Sequence, residues 1–282
     1  MDAPLELQLV KERQLGEILP HGALDHYEAS GIAVAGDGLY VVFDDSTAIA
    51  SIDASLESGS LGPGKSQSSQ YEGISARSAR GFYVMVETVS KDDPRASVVE
   101  LDQNLATVSE HLTDTTFPQD NQGFEGVAWL SIDAKEYLLA LCENNACGSE
   151  DAPPGQGRVH VLALDGETWV TRMLLEVPRN VRFTNYSDIA LLAAEKGTYR
   201  VALLSRKSSA LWLGTLTTES WSLEGPGTFY TFPRRGADVS YCALEGVTFL
   251  GPRLLALVSD ESTGDKSCAT EDESIHLFEL PE

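Results

Sequence analysis

The stretch EGVAWLSIDAKEYLLALCENN, residues 125–145, decides how this chain folds. It sets a carboxylate, Glu125, and a glycine, Gly126, before a short apolar run. A turn carrying Asp133 and Lys135 follows, and a second apolar run ends on Glu143 and Asn144. Runs this short, bounded by turn residues, read as two antiparallel strands. A Glu at the head of a buried strand is awkward, because an unpaired charge resists burial and Glu is disfavoured in strands. The same dipeptide nevertheless opens YEGISA (71–76) and LEGVTF (244–249).

Aligned on the residue after the odd one, the pattern recurs at Gly31, Gly73, Gly126, Asp188 and Gly246, a period of roughly 50 residues. Each unit has a short apolar strand, a turn, a second strand rich in Val, Leu and Tyr, and a loop. A third strand such as SVVELD or VHVLALD comes next. Further short strands lie between the units: ATVSEHL (106–112), WVTRMLLEV (169–177) and TFYTFP (228–233). Four strands per unit at this period predict an all-β chain folded as a β-propeller. The last unit ends with the chain after three strands, and LELQLVKERQL (5–15) supplies the fourth, which closes the ring and removes an open edge. The expectation is a single domain over residues 1–282 with five four-stranded blades. Six blades would need one more unit in the long intervals around the third and fourth.

Composition narrows the function classes. Lys and Arg number 20 against 43 Asp and Glu, a net charge of −23. That excludes nucleic acid and anionic membrane as expected partners, since both need a basic footprint. It fits a protein that attracts cations, or one whose acidic surface serves solubility. No apolar run is long enough to span a membrane. The N-terminal stretch lacks the basic and apolar regions of a secretory signal. A cytoplasmic location is therefore expected, or a periplasmic or secreted one if a signal has been removed.

In a propeller the first strand of each blade lines the channel and the second runs antiparallel beside it. The start of the first and the end of the second then share one mouth. One column there holds Ser30, Glu72, Glu125, Ser187 and Glu245; the other holds Asp44, Glu87, Glu143, Ser205 and Asp260. The next positions along are Asp45, Thr88, Asn144, Arg206 and Glu261. So many like charges raise one another's pKa unless something neutralises them. Calcium, which takes six to eight oxygen ligands, is the expected cation. Zinc would want His or Cys, which neither column offers. Glu72, Glu125, Asn144, Glu245, Asp260, Asp44 and Glu87 are the candidate ligands. The competing reading is structural, with each carboxylate only accepting from loop amides of the next blade.

The fourth unit breaks the pattern with SRKSS, which brings Arg206 and Lys207. Loops leading into first strands bring Arg179 and Arg182 (VPRNVRFTNY) and Arg234 and Arg235 (FPRRGADVSY). Basic groups facing an acidic cluster can orient a small anionic substrate against a metal. Arg206 could equally just neutralise the carboxylates. Long loops after the second strands, residues 88–96, 145–157 and 262–273, sit at the same mouth, where loops carry function. His21 and His26, in LPHGALDHYEAS, are candidate proton carriers or solvated loop histidines. His160 and His276 share a column in third strands, where packing explains them. A disulfide within Cys142/Cys147 or within Cys242/Cys268 is possible on spacing. No CxxC, GxSxG, HExxH or Rossmann signature is present. GPGKS (62–66) lacks the glycine spacing of a P-loop.

Strand openings such as SGIAV, EGISA and EGVAW, followed by LYVVFDDS and YLLALCENN, resemble the propellers of the SdiA-regulated and phytase-like (esterase-like) families. They are more remotely similar to calcium-dependent lactonase and paraoxonase-type propellers. The resemblance runs from about residue 28 to 280. It implies calcium at the channel mouth, with Glu72, Glu125, Asn144, Glu245 and Asp260 at the matching positions. The fourth unit departs, having Ser205 and Arg206 where an Asn or Asp ligand would stand. The expected function is a metal-dependent hydrolase acting on a small ester, lactone or phosphoester, with Glu143 or His26 as base and Arg206 at the site. The alternative is a non-catalytic propeller that binds a ligand or a protein partner through its loops.

Overall fold

Short, β-branched and aromatic runs separated by Gly, Asp and Ser turns leave the chain little option but strands. A computed structural model describes residues 4–21, 24–64, 70–87, 93–118, 123–148, 152–235, 238–239, 241, 243–261 and 272–281. Cys242, Cys268, Thr88 and most of the loop 262–273 lie outside the described residues.

The strands are β1 (Leu5–Glu6), β2 (Gln8–Gln14), β3 (Ala29–Ala35), β4 (Gly38–Phe43), β5 (Ser46–Asp53) and β6 (Gly59–Leu61). Then come β7 (Tyr71–Ala76), β8 (Gly81–Val86), β9 (Arg95–Asp102), β10 (Thr107–Thr116), β11 (Phe124–Ile132) and β12 (Lys135–Cys142). The remainder are β13 (Arg158–Asp165), β14 (Thr168–Glu176), β15 (Asp188–Ala193), β16 (Thr198–Ser205), β17 (Ala210–Thr217) and β18 (Ser222–Thr231), a small hairpin of β19 (Arg234–Arg235) and β20 (Asp238–Val239), then β21 (Leu244–Phe249), β22 (Leu254–Ser259) and β23 (Ser274–Glu279).

Antiparallel meanders join β3 to β6, β7 to β10, β11 to β14, and β15 to β18 in chain order. The second and third meanders fuse through a parallel β10–β14 contact into one eight-stranded sheet. The last sheet runs β21, β22, β23 and then β2, with Gln8 opposite Glu279 and Gln14 opposite Ser274. The chain's two ends thus share a sheet, while β1 lies parallel to β18. Among the described residues no helix is long and apolar enough to cross a membrane.

The first strand of each set touches the next: β3 against β7, β7 against β11, β11 against β15, β15 against β21, and β21 against β3. They enclose a cavity of about 440 Å³ whose wall includes Ile32, Ile74, Val127, Ile189 and Val247, one from each strand. The core lies between neighbouring sheets. Leu139, Leu141, Val201, Leu203 and the fully buried Trp212 fill one such interface, and Val41, Phe43, Val258 and Ile275 another.

Why Glu-Gly opens strands is answered by two features. Register slips by one residue between Ala29 and Gly31, Tyr71 and Gly73, Phe124 and Gly126, and Leu244 and Gly246. Ser30, Glu72, Glu125 and Glu245 are therefore the extra residues of β-bulges, which re-aim a side chain out of the pleat. The glycine that follows marks where backbones come closest. A Cβ on Gly73 would stand 2.8 Å from Val127 N, and one on Gly126 2.7 Å from Ile189 N. Asp188 occupies the equivalent place on β15, and its Oδ2 accepts from Val247 N at 2.7 Å. Sequence reading places Asp188 in the glycine column without seeing that its carboxylate fills a gap which glycine leaves elsewhere.

Candidate metal centre

The bulged residues and the ends of the second strands face one mouth of the channel. Tyr71 pairs with Val86 and Phe124 with Cys142, so Glu72 and Glu125 stand beside Glu87 and Glu143. Oxygens of Glu87, Glu125 and Glu143 all lie within 4.8 Å of one another. Glu87 and Glu143 are buried. Glu87 Oε1 accepts from Gly123 N at 2.8 Å, and Glu143 Oε2 accepts from Asn144 Nδ2 at 3.0 Å. Burial pushes the Glu125 carboxyl well above its usual range, and Glu72, Glu87, Glu143 and Glu245 push it further. Glu72 is raised by burial and then by Glu87, Asp44 and Glu245, with Arg206 opposing. Carboxyls so placed hold protons unless a cation compensates.

The other candidate ligands are held differently. Glu245 is paired with the Arg206 guanidinium, which also lies 3.7 Å from Asp260 Oδ2. Burial raises Glu245 to about 7 against the pull of Arg206, and burial raises Asp260 to about 6. Arg206 therefore sits inside the acidic cluster as its counter-charge. Asp44 belongs to a second trio with Glu28 and Asp45, whose oxygens also lie within 4.8 Å of one another. Burial, with Glu28 beside it, pushes Asp44 up to about 8; burial takes Asp45 to about 6. Glu28 is a residue that sequence reasoning passes over, because it precedes the column by two positions in a loop. His26 stands nearby, its Nδ1 3.6 Å from Glu261 Oε2 and 3.9 Å from Glu273 Oε1. His21 is exposed.

Arg179, Arg182 and Arg234 are not gathered with the carboxylates of the mouth. Arg179 and Arg182 line a surface cleft with Pro154, Gly155, Gln156, Arg158 and Glu176. Arg234 is exposed on the β19–β20 hairpin, opposite Val239. Arg235 follows it there, with its side chain outside the description.

Cys142 and Cys147 form a disulfide. They and His160 are close enough for a metal site, but a disulfide withholds the thiolates that would bind one. His160 contacts Thr171 Oγ1 at 3.0 Å and Cys147 Sγ at 3.4 Å; His276 is fully buried between Ser259 and Glu12. Both serve packing. Asn145, also missed by sequence, is buried, and its Nδ2 donates to Phe183 O and Thr184 O at 3.1 Å.

No family model matches this chain, and no curated protein matches it by sequence. Solved structures do. A GH43_1 enzyme from Xanthomonas citri, complexed with xylose, superposes with TM-score 0.57 at 12% identity over 97% of this chain and 91% of that one. Glutaminyl cyclase from Myxococcus xanthus gives 0.56 at 9% over 99% and 100%. The PQQ-bound aldose sugar dehydrogenase from Streptomyces coelicolor gives 0.51 at 13% over 95% and 98%. These are propeller enzymes of unrelated activities. The likeness places the chain in the β-propeller fold and reaches no particular family within it.

Proposed function

We propose that this chain is a five-bladed β-propeller, of the SdiA-regulated and phytase-like kind, that holds calcium at the carboxylate mouth of its channel and hydrolyses a small ester, lactone or phosphoester there. The observation that carries the reading is the convergence of Glu87, Glu125 and Glu143, with oxygens within 4.8 Å of one another. An all-oxygen set of that density suits a hard cation of flexible geometry. Glu72 and Asn144 flank the trio and extend the donor set. Glu245 and Asp260 are engaged by Arg206 and Asp44 by Glu28, so they tune the field around the site. A calcium ion there would polarise a carbonyl or phosphoryl oxygen and ease the ionisation of a water. Glu143, inside the cluster, is better placed than His26 to accept the proton; His26, beside Glu261 and Glu273, can relay it to solvent. Arg206 offsets part of the repulsion that Glu245 and Asp260 add to the cluster.

The test is a panel of ester, lactone and phosphoester substrates, assayed after chelation, after calcium is restored, and in Glu125→Gln. Turnover that calcium restores and the substitution abolishes is expected. Activity that survives both chelation and the substitution would refute the metal's part. Calcium binding without turnover on any class would refute the hydrolase and leave a ligand-binding propeller.

A further inference from the structure

We propose that the cleft formed by Arg158, Arg179 and Arg182 is a second binding site, separate from the carboxylate mouth, that takes a phosphate dianion, free or as a monoester. The cleft encloses about 480 Å³, within the span of small-molecule sites. A net charge of −23 disfavours the approach of a dianion to the molecule as a whole. Among the described residues three guanidiniums line the cleft with a single carboxylate, Glu176.

The arginines differ in how they are held. Arg158 is mostly buried; its Nη1 donates to Gln156 O at 3.2 Å and Gly157 O at 3.0 Å, and its Nη2 lies 3.3 Å from Glu176 Oε1. It is fixed in place. Arg179 and Arg182 are exposed and, among the described residues, form no ion pair. Surface arginines in a protein with twice as many acids as bases ordinarily find a carboxylate. Among the described residues these two have none within ion-pair distance, and guanidinium forks match phosphate oxygens in pairs.

The walls are built. Gly155 has φ +92, a left-handed conformation that side chains strain to adopt, and a Cβ there would stand 2.9 Å from Arg179 O. The loop can therefore approach the 178–183 segment only as glycine. The buried Asn145 stitches both walls: its Oδ1 accepts from Gln156 N at 2.9 Å while its Nδ2 holds Phe183 O and Thr184 O. Asn145 follows Asn144, so the same turn that flanks the carboxylate trio fixes the spacing of the cleft.

The experiment is calorimetric titration of the full chain, stripped of metal by chelation, with inorganic phosphate and separately with phenyl phosphate. Sodium chloride at matched ionic strength is the control. Working without metal keeps the result independent of the calcium reading. Saturable phosphate binding is expected, weakened about tenfold or more in Arg179→Gln/Arg182→Gln, as the loss of charge-assisted hydrogen bonds implies, and tightened in Glu176→Gln. Tighter binding of phenyl phosphate would assign the site to esters, and equal binding to the free ion. Heats no greater than those of chloride, or binding unchanged in the double variant, would overturn the proposal. Because both arginines are exposed, an unaltered melting temperature shows that the variant is folded. Glu176→Gln provides a second reading of opposite sign.

Discussion

Gly126→Ala is the sharpest probe of how the first strands fit together. A methyl group there would lie 2.6 Å from Asp188 Oδ1, 2.7 Å from Ile189 N and 2.8 Å from Asp188 Cα. Two of these are backbone atoms and cannot rotate away. The carboxylate is pinned as well, accepting from Ile189 N and Val247 N at 2.7 Å each. Overpacking a tight site costs about 1–3 kcal/mol. If Asp188 is displaced, a buried N–H loses its acceptor, at about 1–3 kcal/mol more. The alanine recovers only about 0.4–1 kcal/mol through the unfolded chain. The net expectation is a loss of about 1–5 kcal/mol, read by urea denaturation, with the melting temperature falling about 2–4 °C per kcal/mol. Gly251→Ala is the control, because nothing lies within 4 Å of a Cβ there; it should be neutral or slightly stabilising. If Gly126→Ala matches the parent within about 0.5 kcal/mol, β11 and β15 do not approach as described.

Two further outcomes follow from charge. In metal-free protein, Arg206→Gln removes the cation that holds Glu245 down, so its carboxyl should titrate above the parent's value of about 7, as NMR titration will show. A carboxyl raised on folding stabilises most below its unfolded pKa and loses that contribution as pH rises through the folded value; the variant should therefore lose more stability than the parent between about pH 7 and 9. His160 behaves oppositely: burial lowers it to about 4 from 6.5, so the native state keeps it neutral while the unfolded chain protonates. Its stabilisation is present above pH 6.5 and is lost on acidification towards 4, by up to about 3 kcal/mol. His160→Gln should flatten that limb in urea denaturation at pH 7 and 4.5, and an unchanged limb would show that His160 is not the group responsible.

The strand pattern was legible because each unit repeats turn, strand and turn at short range, and because β2 must find an edge to cover. The two residue columns were legible for the same reason, since antiparallel pairing brings the start of one strand beside the end of the next. What could not be read was tertiary. Nothing in the sequence separates Glu245, which pairs directly with Arg206, from Glu125, which feels that guanidinium without pairing to it. Glu28 joins Asp44 only because a loop folds back, and Asp188 looks like a substituted glycine until its carboxylate is seen bridging two strands. Arg179 and Arg182 lead into a first strand as expected, yet the loop held by Asn145 gathers them with Arg158 and Glu176 in a surface cleft.

The proposed chemistry depends first on a cation at the carboxylate mouth. The most direct measurement is calcium titration of chelator-stripped protein by calorimetry, in the parent, Glu125→Gln and Glu87→Gln. Saturable binding is expected in the parent, with a loss of about tenfold or more in each variant and a rise in melting temperature that grows with free calcium. Parent protein that gives neither heat nor a thermal shift, or variants that bind calcium as the parent does, would contradict a cation site there.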